Sequence, residues 1–236
     1  MPYRRLPNTD AARISSLKKA LSKSQIPFSE NPVIPFKLVH EIETLLPKFE
    51  TAVDRFKSTY NEQAKANKKH QVHLKNARLY VSHFIQVLNM AVIRQEVKRE
   101  HKSLYGLATD ENTVPDLASE SAVLEWGKKV IDGERARTSK GGVPIYTPSI
   151  AKVSVLYDVF KDSYQEQQYH KLNTQRAQVP IASLREQIDA LILELWNIVE
   201  ERFRDLPNDV RLDTCRSYGV IYYYHSNEKQ PESTDD

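Results

Sequence analysis

The apolar residues of this chain recur at helical spacing over most of its length. Ile42, Leu46, Phe49, Val53, Phe56 and Tyr60 step by 4, 3, 4, 3 and 4 residues, and Val153, Tyr157, Phe160 and Tyr164 step by 4, 3 and 4. That is the stripe of a helix that turns one face to a core. From Lys37 to His101 no glycine interrupts, and Pro47 is the only proline. Asn61 to Gln71 holds no large apolar residue, and periodicity resumes at Val81, Ile85, Leu88 and Val92. Either a turn near Asn67 folds both stripes onto one core, or one very long helix runs on. The polar stretch favours the turn, and Pro47 is expected to kink the helix or mark its true start. Gln165 to Gln178 is similarly polar, and Pro180 suits the first turn of a new helix carrying Leu184, Ile188, Leu191, Leu195 and Ile198. The expected fold is all-α, a four-helix-bundle-like arrangement of two antiparallel αα-hairpins.

The two hairpins share a template. Phe56-Lys57-Ser58-Thr59-Tyr60-Asn61-Glu62-Gln63 returns 104 residues later as Phe160-Lys161-Asp162-Ser163-Tyr164-Gln165-Glu166-Gln167, with five positions identical. Leu88-Asn89 matches Trp196-Asn197 at an offset of 108, and Tyr105-Gly106-Leu107 matches Tyr218-Gly219-Val220 at 113. This reads as an internal duplication of one supersecondary unit that buries its apolar face against a copy of itself.

The remaining segments fall around these hairpins. Residues 1–35 form a basic N-terminal arm, a short helix introduced by Asn8, Thr9 and Asp10, and a connector with Pro27, Pro32 and Pro35. The first hairpin takes 36–107. Residues 108–147 hold a connecting helix, with Leu117, Val123, Trp126, Val130 and Ile131, that stops at Gly141-Gly142. The second hairpin takes 148–226 and ends in a short helix with Cys215 and a strand over Gly219 to Tyr224. Val143-Pro144-Ile145-Tyr146 is the other segment of strand composition, so a ribbon between the two is expected, with Pro144 on its outer edge. Residues 227–236 read as a disordered acidic tail.

Composition narrows the class. Charged residues make up 28% of 236 and glycines number six, which suits long helices. A single cysteine excludes an intrachain disulfide and points to a reducing compartment. The first residues lack the apolar run of a secretory signal, and no stretch reaches membrane-spanning length. A cytoplasmic protein with no membrane association is expected.

Candidate chemistry is sparse. No histidine has a glutamate three residues before it, and the pair His70 and His73 lies among Lys65, Lys68, Lys69 and Lys75, which disfavour a dication. There is no nucleophile elbow, phosphate-binding loop or dinucleotide fingerprint. Cys215, with His225 as its nearest partner in sequence, reads as a packed thiol. No catalytic, cofactor or metal residue is assigned. Charge is the one suggestive pattern: no acid lies between Glu62 and Glu96, nor between Gln167 and Arg185. Arg4, Arg5, Lys65, Lys68, Lys69, Lys75, Lys171 and Arg176 are therefore candidate phosphate contacts at the N-terminal arm and hairpin tips, although solvated helix ends explain them as well. Tyr222, Tyr223 and Tyr224 either cap the core or offer an edge to a partner strand. Tyr60, His83, Asn89 and Tyr164 are polar groups that a ligand pocket could use.

Pro2-Tyr3-Arg4-Arg5-Leu6-Pro7-Asn8-Thr9-Asp10, together with Tyr105-Gly106-Leu107 and Gly142-Val143-Pro144-Ile145-Tyr146, resembles a group of bacterial all-helical proteins of similar length with no established activity. The resemblance implies no chemistry. The leading expectation is a non-enzymatic interaction or scaffold protein, working with a protein partner or as a homo-oligomer. A nucleic-acid-associated protein and a small-ligand-binding bundle are the alternatives.

Overall fold

Thr9 opens the first helix: its hydroxyl accepts from the Ala12 amide at 3.2 Å, satisfying a donor that a helix start leaves unpaired. The computed structural model describes residues 3–24 and 32–224. It contains α1 (Asp10–Ser24), α2 (Phe36–Ile93), a 3-10 helix (Arg99–Tyr105), α3 (Glu120–Ser139), α4 (Ile150–Arg202) and α5 (Asn208–Ser217). The protein is all-α, as its apolar spacing predicts. Residues 25–31 of the proline-rich connector, the tail 227–236 and His225 lie outside the described residues.

The chain forms two compact units, the first assembled from both ends of the chain and the second a single stretch. The first takes 1–58 and 175–236, the second 59–174. In the first, Leu17 and Ala20 of α1 pack with Ile42, Phe49 and Val53 of α2, Ile188, Leu195 and Trp196 of α4, and Cys215 of α5. In the second, Leu74, Val81, Phe84 and Leu88 of α2 meet Val123 and Val130 of α3, Val153 and Phe160 of α4, and Tyr105.

The expected hairpin turns are absent. α2 continues through Asn67 for 58 residues, and α4 continues through Gln165 to Gln178 for 53. Within the second unit the polar stretch is a packed seam. Ala66, His70, Ser163 and Thr174 are buried there. Thr174 Oγ1 donates to the Thr59 carbonyl at 3.1 Å, Gln167 donates to Asn67 at 3.3 Å, and Lys69 pairs with Glu166 at 3.3 Å. Partners rise along α2 as they fall along α4, so the helices are antiparallel in this unit. Small and polar residues do the packing, which apolar periodicity reads as solvent exposure. Pro47 and Pro180 sit inside helices on exposed sides, where water can take the carbonyl that each proline leaves without a donor.

The C-terminal strand also pairs differently from expectation. β1 (Tyr3–Arg4) and β2 (Tyr222–Tyr223) are antiparallel, with Tyr3 opposite Tyr223 and Arg4 opposite Tyr222. Val143 to Tyr146 does not join this ribbon; Tyr146 makes an isolated bridge to Ser149. Arg4 is drawn to β2 because its guanidinium pairs with Glu200 at 2.9 Å, and the Tyr222 hydroxyl donates to the same carboxylate at 2.7 Å.

Among the described residues, four helix ends close with the same left-handed motif. Gly106 (φ +68), Gly141 (φ +85) and Gly219 (φ +92) supply the left-handed residue at three of them, and Gln95 (φ +63) supplies it at the end of α2. The Gly106 and Gly219 motifs match bond for bond at an offset of 113. Gly106 donates to Ser103 and Leu107 to Lys102, while Gly219 donates to Arg216 and Val220 to Cys215.

An ion ladder fixes α1 to α4 in the first unit. Arg185 holds Asp10 through two bonds of 2.8 and 2.7 Å, and Arg13 holds Asp189 at 2.7 and 2.8 Å. The Arg185 hydrogen bonds keep the Asp10 carboxyl below its ordinary range. A carboxyl with a depressed folded pKa stabilises the fold above its unfolded value, near about 4, and loses that contribution as pH falls through the folded value. Asp10→Asn is therefore expected to melt below the wild-type protein at pH 7. The gap in Tm should close as the pH falls below about 4. Thermal melts across that range check it, and a gap that persists in acid contradicts it.

Candidate functional site

The most highly organised polar cluster of the second unit lies under an exposed apolar loop. Glu134 of α3 is 0% exposed and Arg137, one turn on, is 2% exposed. Arg137 Nη2 donates to Glu134 Oε1 at 2.8 Å and Oε2 at 2.9 Å, and Nε donates to the Tyr105 hydroxyl at 2.8 Å. Tyr105 in turn donates to Glu134 Oε2. Burial, reinforced by the Glu134 carboxylate, pushes the Tyr105 phenol far above its ordinary pKa, so it stays a donor. Gly133 makes room for this arrangement, since a Cβ there would lie 2.6 Å from the Tyr105 ring.

Two further bonds leave the cluster for the loop. Arg137 Nη2 donates to the Val143 carbonyl at 2.9 Å, and the Ile145 amide donates to Glu134 Oε1 at 2.9 Å. The backbone of 143–145 is thereby tied down from below. Ile145 is buried, while Val143 is 72% and Tyr146 75% exposed. Isolated exposed apolar residues need no explanation, but an exposed ledge fixed by a desolvated ion pair does.

The ledge forms one wall of a groove of about 600 Å³. Val143, Pro144 and Tyr146 line it together with Val87 and Ala91 of α2 and Val97 just beyond the helix. Arg94 and Glu96 stand at its rim, paired with each other at 2.9 Å. Gln95, between them, is the non-glycine residue in the left-handed region, a conformation that glycine supplies at the other three caps. Met90 and Ile93 extend the exposed apolar surface outward along α2. The groove has the size and apolar lining of a recognition site.

Two other polar clusters of the second unit are built around buried, hydrogen-bonded residues. His70 is fully buried, not solvated at a helix tip: Nδ1 lies 3.1 Å from Ser163 Oγ and Nε2 lies 3.0 Å from Glu120 Oε1. The ring stacks on Phe160. Serine, histidine and glutamate stand in relay order, yet Ser163 Oγ donates to the Phe160 carbonyl at 2.7 Å inside α4, and Ser163 is buried. The trio binds α2, α3 and α4 together. Lys102 is buried too, donating to Glu111 and Asn112 of the following loop, and burial lowers its pKa below the lysine range. No metal-holding group of three or more His, Cys, Asp or Glu occurs among the described residues.

The basic residues singled out from sequence divide between the two units. Lys65, Lys68, Lys69, Lys75 and Lys171 are exposed in the second unit, along helices rather than at hairpin tips. Arg4, Arg5 and Arg176 belong to the first unit, and Arg4 is already paired with Glu200. Tyr222 and Tyr224 bond inward to Glu200 and Arg216, and the Tyr223 ring lies 6.1 Å from that of Tyr3. Cys215 is buried, and burial raises its thiol pKa. Of the pocket candidates, Tyr60 and His83 are exposed, Tyr164 lies against His70, and Asn89 is buried with both amide atoms unbonded. They do not line the groove. Sequence reading passed over the groove because its ledge resembles a strand and its supporting ion pair resembles an ordinary surface i, i+3 pair.

No protein-family profile matches the chain, and no curated protein or solved structure matches it either.

Proposed function

We propose that this chain is a non-enzymatic protein-interaction module, with the groove of the second unit as its docking site for apolar side chains of a partner. One observation carries the reading: a fully buried Glu134–Arg137–Tyr105 network is spent on fixing an exposed apolar ledge. Buried ion pairs contribute little net stability, so their use here fits a demand for a preorganised surface. The duplicated template accords with the helix order, in which a helix, a very long helix and a short helix ending in a left-handed glycine occur twice. A cytoplasmic setting accords with the single buried free thiol, and no helix among the described residues is long and apolar enough to cross a membrane.

Affinity capture from the native cell, with wild type and Tyr146→Asp run side by side, tests the proposal. Tyr146 is exposed, so the variant keeps the fold. A partner retained by wild type after nuclease treatment and lost by the variant is the expected result. Identical capture by both proteins overturns it. A second reading, nucleic-acid association, rests on the exposed lysines of α2 with no acid between Glu62 and Glu96. Capture that nuclease abolishes and salt weakens steeply would favour it.

A further inference from the structure

The outward face of α2 in the second unit carries a second pattern, distinct from the one that faces the core. Lys65, Lys69, Val72, Asn76, Leu79, His83, Gln86, Met90 and Ile93 step by 4, 3, 4, 3, 4, 3, 4 and 3. Val72, Leu79, Met90 and Ile93 are all more than half exposed. Alternating steps of three and four keep one narrow stripe on one side of a helix, so these four apolar residues can meet a partner helix together. The inner face of α2 is already used by the core. The seam extends for about 42 Å at 1.5 Å per residue, and its apolar end, Met90 and Ile93, adjoins the groove residues Ala91 and Arg94.

Charge selects the partner. Lys65 and Lys69 begin the seam and Lys68 and Lys75 flank it, with no acid from residue 63 to 95. Lys69 has a neighbouring acid in Glu166 at 3.3 Å, and Lys65, Lys68 and Lys75 make no ion pair among the described residues. A second copy of this chain docking through the same seam would bring like charges or apolar residues to these lysines. A nucleic acid would leave Val72, Leu79, Met90 and Ile93 idle. An anionic membrane would have to accept Asn76, His83 and Gln86 within the apolar stripe.

We propose that the α2 seam binds an acidic amphipathic helix of a partner protein, with apolar residues on the seam and carboxylates against the lysines. The assignment rests on the interaction reading and names the partner's chemistry. The test uses two synthetic heptad peptides with the same apolar seam, one flanked by glutamates and the other by lysines, titrated against the full chain by fluorescence anisotropy. The glutamate peptide should bind at least about tenfold more tightly than the lysine peptide. Leu79→Asp with Met90→Asp should weaken it by about tenfold or more at unchanged Tm. Equal binding of both peptides overturns the proposal, as does indifference to the double substitution. Tighter binding to phosphatidylserine vesicles or single-stranded DNA than to the glutamate peptide also overturns it. If the glutamate peptide fails while Tyr146→Asp still abolishes partner capture, the acidic-helix assignment falls and the groove reading stands.

Discussion

Glu134→Ala is expected to destabilise the protein by roughly 3–5 kcal/mol, because it leaves the Arg137 guanidinium buried without a counter-charge. The same substitution removes the acceptor of the Ile145 amide and one hydrogen-bond partner of Tyr105. Glu134→Leu combined with Arg137→Met removes both charges at similar volume. It should recover most of the loss, retaining about 1–3 kcal/mol for the orphaned Ile145 amide. Urea melts of the single and double variants measure both. The double variant carries the functional consequence: the ledge loses its two anchors while the core survives, so partner capture should fall despite near-normal folding. If the double variant captures its partner like wild type, the ion pair is not what shapes the site.

The other large effect lies in the first unit. A Cβ on Gly219 would sit 2.3 Å from the Ser16 carbonyl oxygen, and the residue has φ +92. Both groups are backbone, so neither can swing aside as a side chain would. Ser16 Oγ also donates to the Gly219 carbonyl at 2.8 Å and accepts from the Trp196 indole at 3.2 Å. Moving α1 away from the turn would break this knot. Gly219→Ala is expected to cost about 3–6 kcal/mol, combining the left-handed penalty, overpacking and a lost hydrogen bond. Gly141→Ala is the internal control: φ is +85 but nothing lies within 4 Å, so it should cost about 1–2 kcal/mol. Near-equal losses in thermal or urea melts would show that the contact with Ser16 is not the constraint.

Much of the helical content could be read from residue spacing, since Ile42 to Val53 and Leu184 to Ile198 turn apolar faces to the core of the first unit. The stop of α3 was legible in Gly141-Gly142, where the left-handed cap forms. The continuity of α2 and α4 was not. Ala66, His70, Ser163 and Thr174 pack the middle of the second unit through small size and hydrogen bonds, and none of them registers as apolar. The strand pairing was missed for another reason. Arg4 reads as free charge in the sequence, but Glu200 and Asn197 draw it to β2. Of the groove, the sequence showed the strand-like composition of Val143 to Tyr146 but not the Glu134–Arg137 pair beneath it, whose burial depends on Tyr105 arriving from elsewhere in the chain over the space that Gly133 leaves.

On the proposed function, the ledge at Tyr146 meets a protein partner. Site-specific photo-crosslinking in the native cell tests it most directly, with the crosslinker placed at position 146 and, as a control, at the exposed position 223 of the first unit. One dominant protein adduct is expected from position 146, and none of that species from position 223. Adducts to the same proteins from both positions, or no protein adduct from position 146, would contradict it.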